Sequence, residues 1–244
     1  MNGAIAVYYR EMLLLRRKLR IYLASMAVSP VLYLIAFGLA AGRGASAGGH
    51  PYMEFLIPGI VALGGMTQAF GIGAEINVAR FHWRVFEEFQ AAPISNFAYV
   101  AGEVSAGVTR AILGALVILS IAALGGIVLQ YGFFFWVGVF LNAFFFAGLA
   151  VCLAMVVKNH TTQMLLNNFV ITPMAFLGGT FFPLDRLPES ARLILGLLPI
   201  TQASTAIRAA ALHGGMPMKS LGILLLFGIA VFGLGLVCVN KARD

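Results

Sequence analysis

Long apolar runs separated by short polar segments form the main pattern of the chain. Six of these runs occupy about 21–41, 53–75, 97–129, 133–157, 163–182 and 220–239. Each is close to or above the ~20 residues that a helix needs to cross a bilayer. The runs are continuous rather than alternating, which favours helices over a barrel as the way to satisfy the backbone in lipid. The pattern predicts an all-α integral membrane protein with six transmembrane helices, as one domain over residues 1–244.

Residues 3–20, before the first run, have the period of an amphipathic helix. Their apolar residues recur at helical spacing, at Ile5, Tyr8, Met12, Leu15 and Leu19. Arg10, Arg17 and Lys18 lie towards the other side. We therefore predict an N-terminal helix that lies in the membrane interface instead of crossing it.

Residues 183–218, before the last run, mix apolar stretches with charges. Asp185, Arg192 and Arg208 are among the charged residues that interrupt every 20-residue window in this part of the chain. The pattern predicts two short helices on the outer side, in a re-entrant segment that precedes the last span.

Charged residues are scarce and unevenly placed. Only 10% of the 244 residues are charged and 61% are hydrophobic, so the chain could not cover its surface in water. Five of the sixteen basic residues lie just before the first run, at Arg10, Arg16, Arg17, Lys18 and Arg20. The bias of basic loops towards the cytoplasm places both termini, segment 76–96 and loop 158–162 there. A multi-pass protein in contact with membrane lipids, and not with nucleic acid, is predicted.

Few side chains could carry out chemistry. The sequence has no G-x-x-x-x-G-K-[ST] loop, so we do not expect the chain to hydrolyse ATP by itself. Both cysteines lie in apolar runs and the four histidines lie in or near loops, so no metal site is expected. Glu75, Glu103 and Arg110 are charges within or at the end of apolar runs, where ionised groups are costly. We interpret them as a buried pairing, of Glu75 with Arg110, or as a polar face towards a translocation path.

Segment 76–96 is the candidate partner site. It combines charges with four aromatic residues, which are Phe81, Trp83, Phe86 and Phe89. Phe86 and Phe89 recur on one side of a short helix that Pro93 ends. Exposed aromatics in such a helix either insert into a groove of another protein or lie among the lipid headgroups, and the pattern leaves both open.

With these segments the chain resembles the ABC type-2 permeases, which are bacterial exporters of lipid-linked glycans, drugs and related amphiphiles. The resemblance covers nearly the whole chain. Its most specific part is Gly178-Gly179-Thr180-Phe181-Phe182-Pro183 followed by Pro188, similar to the outer G-x-x-F-P-x-x-x-x-P signature of that family. Pro199, Thr201 and Arg208 are similar to its continuation. Residues 29–34 and 55–59 resemble the branch that contains nodulation-factor exporter permeases.

The resemblance implies a dimer in the bacterial cytoplasmic membrane, made of two copies or of this chain with a similar permease. It also implies two separate ABC ATPase subunits, which bind ATP and Mg²⁺, and no cofactor in this chain. ATPase coupling is implied for the following residues: Arg84, Phe86, Glu87, Glu88, Phe89 and Pro93. An outer gate is implied for another set: Gly178, Gly179, Phe182, Pro183, Pro199 and Arg208.

Two other functions stay open on the residues alone. A proton-coupled secondary carrier would use Glu103 and Arg110 and would need no ATPase. A membrane-embedded lipid-modifying enzyme would use His82 or His160 and would turn over by itself. An ATPase partner is predicted by the exporter hypothesis alone.

Overall fold

The computed structural model describes residues 3–41, 44–83, 85–157 and 159–242. Within these ranges ten α-helices form: α1 (Gly3–Arg17), α2 (Leu19–Ala41), α3 (Tyr52–Phe81), α4 (Val85–Ala91), α5 (Asn96–Leu124), α6 (Phe133–Val156), α7 (His160–Leu177), α8 (Glu189–Gly196), α9 (Pro199–His213) and α10 (Met218–Lys241). A 3₁₀ turn at Leu184–Arg186 precedes α8. Between α2 and α3, the two-residue strands β1 (Ser46–Ala47) and β2 (His50–Pro51) pair antiparallel.

Five of the described helices, α2, α3, α5, α6 and α10, are long and apolar enough to cross a membrane. Helices α8 and α9 meet at 94° and reach that length only as a bent pair. The predicted all-α membrane fold is confirmed. The predicted fifth span, 163–182, corresponds to α7, which has 18 residues and is less apolar because it carries Gln163, Asn167 and Asn168.

Several helix ends differ from the predicted ones. α3 continues to Phe81, so the first part of segment 76–96 belongs to a long helix. α5 ends at Leu124 rather than near residue 129, because the Gly125–Gly126 pair follows and does not continue the helix. Asparagine and serine caps fix the starts of two helices: the Ser95 Oγ accepts from the Ala98 N–H at 3.2 Å, and the Asn159 side chain accepts from the Thr162 N–H at 2.7 Å.

α3 is the central helix of the bundle. It packs against α5 and α6, while α10 packs against α6 and α1 lies along α5. Of its most apolar stretch 78% is buried, whereas the figure for α2 is 11%. α2 and α7 both pack on α3 but leave much of their own surface uncovered. The bundle therefore has a buried axis and an open side that carries α2 and α7.

Candidate functional site

The functional side chains lie at the two ends of α3. At one end, Tyr52 approaches the loop after α7 and the helix α9; we call this the α9 end. At the other end, Phe81 approaches α4 and the start of α5; we call this the α4 end.

An ion cluster near the α4 end joins four helices. The guanidinium of Arg110 on α5 donates to both carboxylate oxygens of Glu75 on α3, each at 2.6 Å. It also reaches Glu11 of α1 at 3.4 Å, and Glu11 accepts from Arg10 at 2.7 Å. The Tyr22 hydroxyl of α2 donates to Glu75 at 2.8 Å. The interpretation of Glu75 and Arg110 as a pair is confirmed, and a bidentate pair of this kind fixes the relative position of its helices.

The sequence reasoning did not include Glu11 in this cluster. Of the predicted apolar residues, Ile5 is 54% exposed and Leu15 is buried, while Leu19 is the first residue of α2. The contact of α1 with the membrane interface stays a prediction. The buried face consists of Val7, Glu11 and Leu15, at positions i, i+4 and i+8, and it packs along α5. A lone acidic residue on this stripe is the signal that could have found it. Burial raises the pKa of Glu11, and Arg10 and Arg110 oppose that rise.

Glu103 lies about two helical turns before Arg110, on nearly the same face of α5. It is buried at 2% exposure, and among the described residues it forms no ion pair with Arg110. The two charges, seven residues apart on α5, therefore do not bond to each other. Glu103 stays a candidate intramembrane charge, and it forms no ion pair within the described part of the chain.

Segment 76–96 folds its aromatics partly inwards. Phe86 is 7% exposed, and its ring packs edge-on against Tyr99 at a centroid distance of 5.5 Å. The Arg80 guanidinium lies 5.3 Å from that ring while it donates to the Met155 carbonyl at 2.7 Å. The expectation that Phe86 is exposed is therefore wrong, since Tyr99 and Arg80 form a pocket for it. Phe89 is half-buried against the same tyrosine.

A different part of this segment faces outwards. Trp83 is 54% exposed, Phe81 is 44% exposed, and Glu88 and Pro93 are exposed as well. Arg84 lies outside the described residues, as does the side chain of Glu87. Among the described side chains, the surface that a partner could touch at the α4 end thus includes Trp83 and Glu88 but not the Phe86 ring. The coupling role of the segment stays a prediction.

At the α9 end, Arg208 binds the outer signature to α3. Its Nε donates to the Phe55 carbonyl at 3.1 Å, and its Nη2 donates to the carbonyls of Gly179 and Thr180 at 3.0 and 3.3 Å. The guanidinium carbon also lies 3.7 Å from the centroid of the Phe55 ring. One side chain from α9 therefore holds the loop after α7 against α3.

Close backbone contact completes this junction. Gly59 faces the Thr180 carbonyl so closely that a Cβ atom there would collide with it. Gly179 has φ 66°, in the left-handed region that favours glycine. The Ser204 hydroxyl donates to the Gly178 carbonyl at 2.8 Å, and the Tyr52 hydroxyl donates to the Phe181 carbonyl at 2.8 Å. Gly178, Gly179 and Arg208 belong to the outer gate that the resemblance implies, and the structure brings them together as a bonded junction. Their role as a gate stays a prediction.

The other residues of the outer signature lie outside the hydrogen bonds that Arg208 forms. Phe182 is 37% exposed, Pro183 precedes the 3₁₀ turn, and Pro199 is the first residue of α9. The Phe181 ring stacks on Phe37 of α2 at 4.5 Å. The signature therefore also contacts α2.

Polar side chains lie on the open side of the bundle. α7 exposes Asn168 and Thr172, and α2 exposes Ser25 and Ser29. The two serines line a cavity of about 100 Å³ between α2, α3 and α5. Among the described residues Asn168 has no hydrogen-bond partner, whereas its neighbour Asn167 accepts from Gln163 at 3.4 Å. Hydrocarbon contact would be unfavourable for the Asn168 amide.

The chain is similar to known membrane permeases over most of its length. Residues 3–212 match the model of the ABC-2 type transporter family. The chain is similar to the inner membrane transport permease YadH of Escherichia coli, with 28% identity over 226 residues that cover 89% of this chain and 85% of that protein. It is also similar to nodulation protein J of Sinorhizobium fredii, with 28% identity over 97% of this chain and 92% of that protein, and to nodulation protein J of Rhizobium meliloti, with 29% identity over 90% and 84%. The chain therefore belongs to the ABC-2 type transporter family and is a transmembrane transport subunit.

Proposed function

We propose that this chain forms the membrane part of an ATP-powered exporter for an amphiphilic substrate, a lipid-linked glycan, a lipid or a drug. Two copies, or this chain and a similar permease, enclose the path, and two separate ABC ATPases supply the energy. ATP and Mg²⁺ bind to those ATPases, and this chain has no catalytic role. The similarity to transport permeases and to nodulation protein J supports this assignment.

The exposed amide of Asn168 is the observation that carries the proposal. A polar side chain on the uncovered side of a membrane helix is stable against a second protein subunit or against water in a path. Exposed polar groups lie on α7, which packs mainly on α3, and on α2, which packs on α3 and α5. A second copy that faces this side would enclose a path with polar groups on an apolar wall, which suits an amphiphile.

We propose that the α4 end faces the cytoplasm and binds the ATPase. The basic residues of α1 lie at this end, in agreement with the bias of basic segments towards the cytoplasm. The ion cluster joins α1, α2, α3 and α5 at the same end. Movement of a docked ATPase would therefore reach several spans through bonded side chains.

Co-purification of an ABC ATPase with the tagged permease tests this function. The test variant combines Trp83→Ala with Glu88→Lys. Both side chains are exposed and neither packs in the hydrophobic core. We expect loss of the ATPase from the variant at unchanged melting temperature. The matched control is Glu189→Lys, an exposed glutamate that opens α8 at the α9 end, and it is expected to retain the ATPase.

Two outcomes would count against the proposal. Failure of any ATPase to co-purify with the unchanged permease, together with transport driven by a proton gradient, would favour a secondary carrier. Full retention of the ATPase by the double variant would reject docking through Trp83 and Glu88 while leaving the exporter function intact.

A further inference from the structure

A polar cavity of about 460 Å³ lies at the α9 end, between the 3₁₀ turn, α8, α9 and the start of α10. Hydroxyl and amide side chains line its wall, and these are Thr201, Gln202, Thr205 and Ser220. The Thr201 Oγ1 atom is buried and has no hydrogen-bond partner among the described residues. A buried hydroxyl without a partner is unusual, and next to it the Thr205 side chain is exposed to the cavity.

Arg208 contributes a positive charge to this cavity. Its Nε and Nη2 atoms are occupied by three backbone carbonyls, which are neutral acceptors. In the described part of the chain no carboxylate lies within ion-pair distance of Arg208, and no hydrogen bond uses its Nη1 atom. The guanidinium is thus rigidly held and its charge is not neutralised by an acidic side chain.

Two further cations surround the same space. Arg192 of α8 and Lys219 of α10 line the cavity and are both exposed. Asp185 is the single described acidic residue on the wall, and it forms no ion pair with any of the three cations. Three positive charges against one negative charge leave the wall with a net charge of about +2 at neutral pH.

We propose that this cavity binds a phosphate group that carries hydroxyl substituents, such as the glycerol phosphate of a lipid headgroup or a sugar phosphate. Arg208, Arg192 and Lys219 would surround the phosphate oxygens, because charge-assisted hydrogen bonds to phosphate are the strongest that these side chains form. The exposed Thr205 hydroxyl and the Gln202 side-chain carbonyl would bond the hydroxyl groups. Asp185 would accept a hydrogen bond from a ligand hydroxyl. The site goes beyond the proposed export function and does not depend on the ATPase.

Equilibrium binding to the purified full chain tests this site. One probe is glycerol 1-phosphate, titrated by calorimetry into the protein in dodecyl maltoside. The other is phosphatidylglycerol, counted by native mass spectrometry against phosphatidylcholine. The rim variant combines Arg192→Gln with Lys219→Gln, and we expect it to weaken binding at least about tenfold. The control combines Arg16→Gln with Arg20→Gln, which removes two exposed cations at the other end, and is expected to change affinity less than about twofold.

The two probes separate the sources of the phosphate. Binding of both, with the same loss in the rim variant, supports a site for the phosphate group itself. Rim-dependent binding of phosphatidylglycerol alone supports a lipid headgroup as the ligand. The proposal is overturned when neither probe binds the unchanged chain, or when the rim variant binds as tightly as the control. Both rim residues are exposed, so equal melting temperatures are expected to exclude misfolding as the cause.

Discussion

The single side chain of Arg208 satisfies backbone carbonyls that secondary structure leaves without a donor. The loop after α7 leaves the carbonyls of Gly179 and Thr180 outside any helix or sheet, and a buried carbonyl without a donor is costly. The planar guanidinium satisfies both while it also bonds Phe55 on α3. A lysine ammonium has no second nitrogen to reach carbonyls on two elements at once.

We therefore expect Arg208→Lys to destabilise the protein although the charge is kept. The loss of one or more charge-assisted hydrogen bonds corresponds to about 2 kcal/mol. The measurement is the midpoint of thermal unfolding in detergent. Arg192→Lys, at an exposed position, is the matched control and is expected to leave the midpoint unchanged.

Gly59 provides a second test of the same junction. Gly59→Ala would place a Cβ against the Thr180 carbonyl and force α3 away from the loop, at a cost of about 1–3 kcal/mol. Gly71 lies on the same helix with open space around its Cβ position, so Gly71→Ala is expected to be neutral or slightly stabilising. Thermal unfolding that shifts equally in the two variants would show that the close approach at Gly59 does not matter.

Arg110 is the centre of the ion cluster, and among the described residues its removal leaves Glu75 without a cationic partner and Glu11 with Arg10 alone. We expect Arg110→Met to cost about 3 kcal/mol, because Glu11 is buried and Glu75 loses a bidentate pair. Adding Glu75→Gln to Arg110→Met should recover part of this loss, since one uncompensated charge disappears. A double-mutant cycle of unfolding free energies measures the coupling, and strictly additive effects would contradict the paired geometry.

At the scale of elements, α4 is held by a buried ring, whereas the turn that precedes it exposes Trp83. Phe86→Ala would empty the pocket formed by Tyr99 and Arg80, and we expect a loss of about 3 kcal/mol in stability. Trp83→Ala is expected to change stability by less than about 0.5 kcal/mol, because most of its side chain is exposed. Thermal unfolding compares the two, and equal losses would show that the ring of Phe86 does not anchor α4.

The helices could be predicted from hydropathy because the bilayer imposes a length and an apolar composition on each span. The contacts between helices could not, since in a sequence of mostly apolar residues the packing side of a helix has no distinct composition. α1 illustrates the limit: its exposed side carries Ile5 and its buried side carries Glu11, the reverse of the usual rule for soluble helices. The pairing of Glu75 with Arg110 was predictable because ionised groups near lipid need partners.

The residues of the outer signature could be identified from the sequence, but the contacts between them could not be predicted. Its glycines, prolines and arginine were identified from the resemblance, which gives no distances. The bonds of Arg208 join residues 153, 29 and 28 positions away in sequence, so no local pattern indicates them. The exposure of Phe86 was mispredicted for the same reason, since the tyrosine that covers it lies on the next helix.

At the scale of the whole molecule, the distribution of exposed polar groups indicates how a second copy would approach. α6 and α3 are buried over 72% and 78% of their most apolar stretches, while α2 is buried over only 11%. α10 is also largely exposed, but its outward residues are apolar, with Leu226 at 66% and Ile229 at 61%. Apolar side chains such as these are stable in contact with lipid. α7 differs because Asn168 and Thr172 are exposed among its apolar residues.

We therefore expect two copies to meet on the side of α7, and cysteine cross-linking in native membranes measures this. Asn168→Cys should give a covalent dimer under mild oxidation, whereas Leu226→Cys, on the lipid-suited side of α10, should stay monomeric at the same expression level. Cys152 is buried and Cys238 is partly buried, so replacement of both by Ala removes the background without altering either surface. A dimer from the Leu226 position and none from Asn168 would place the interface on α10, and the polar side of α7 would then need a different subunit to cover it.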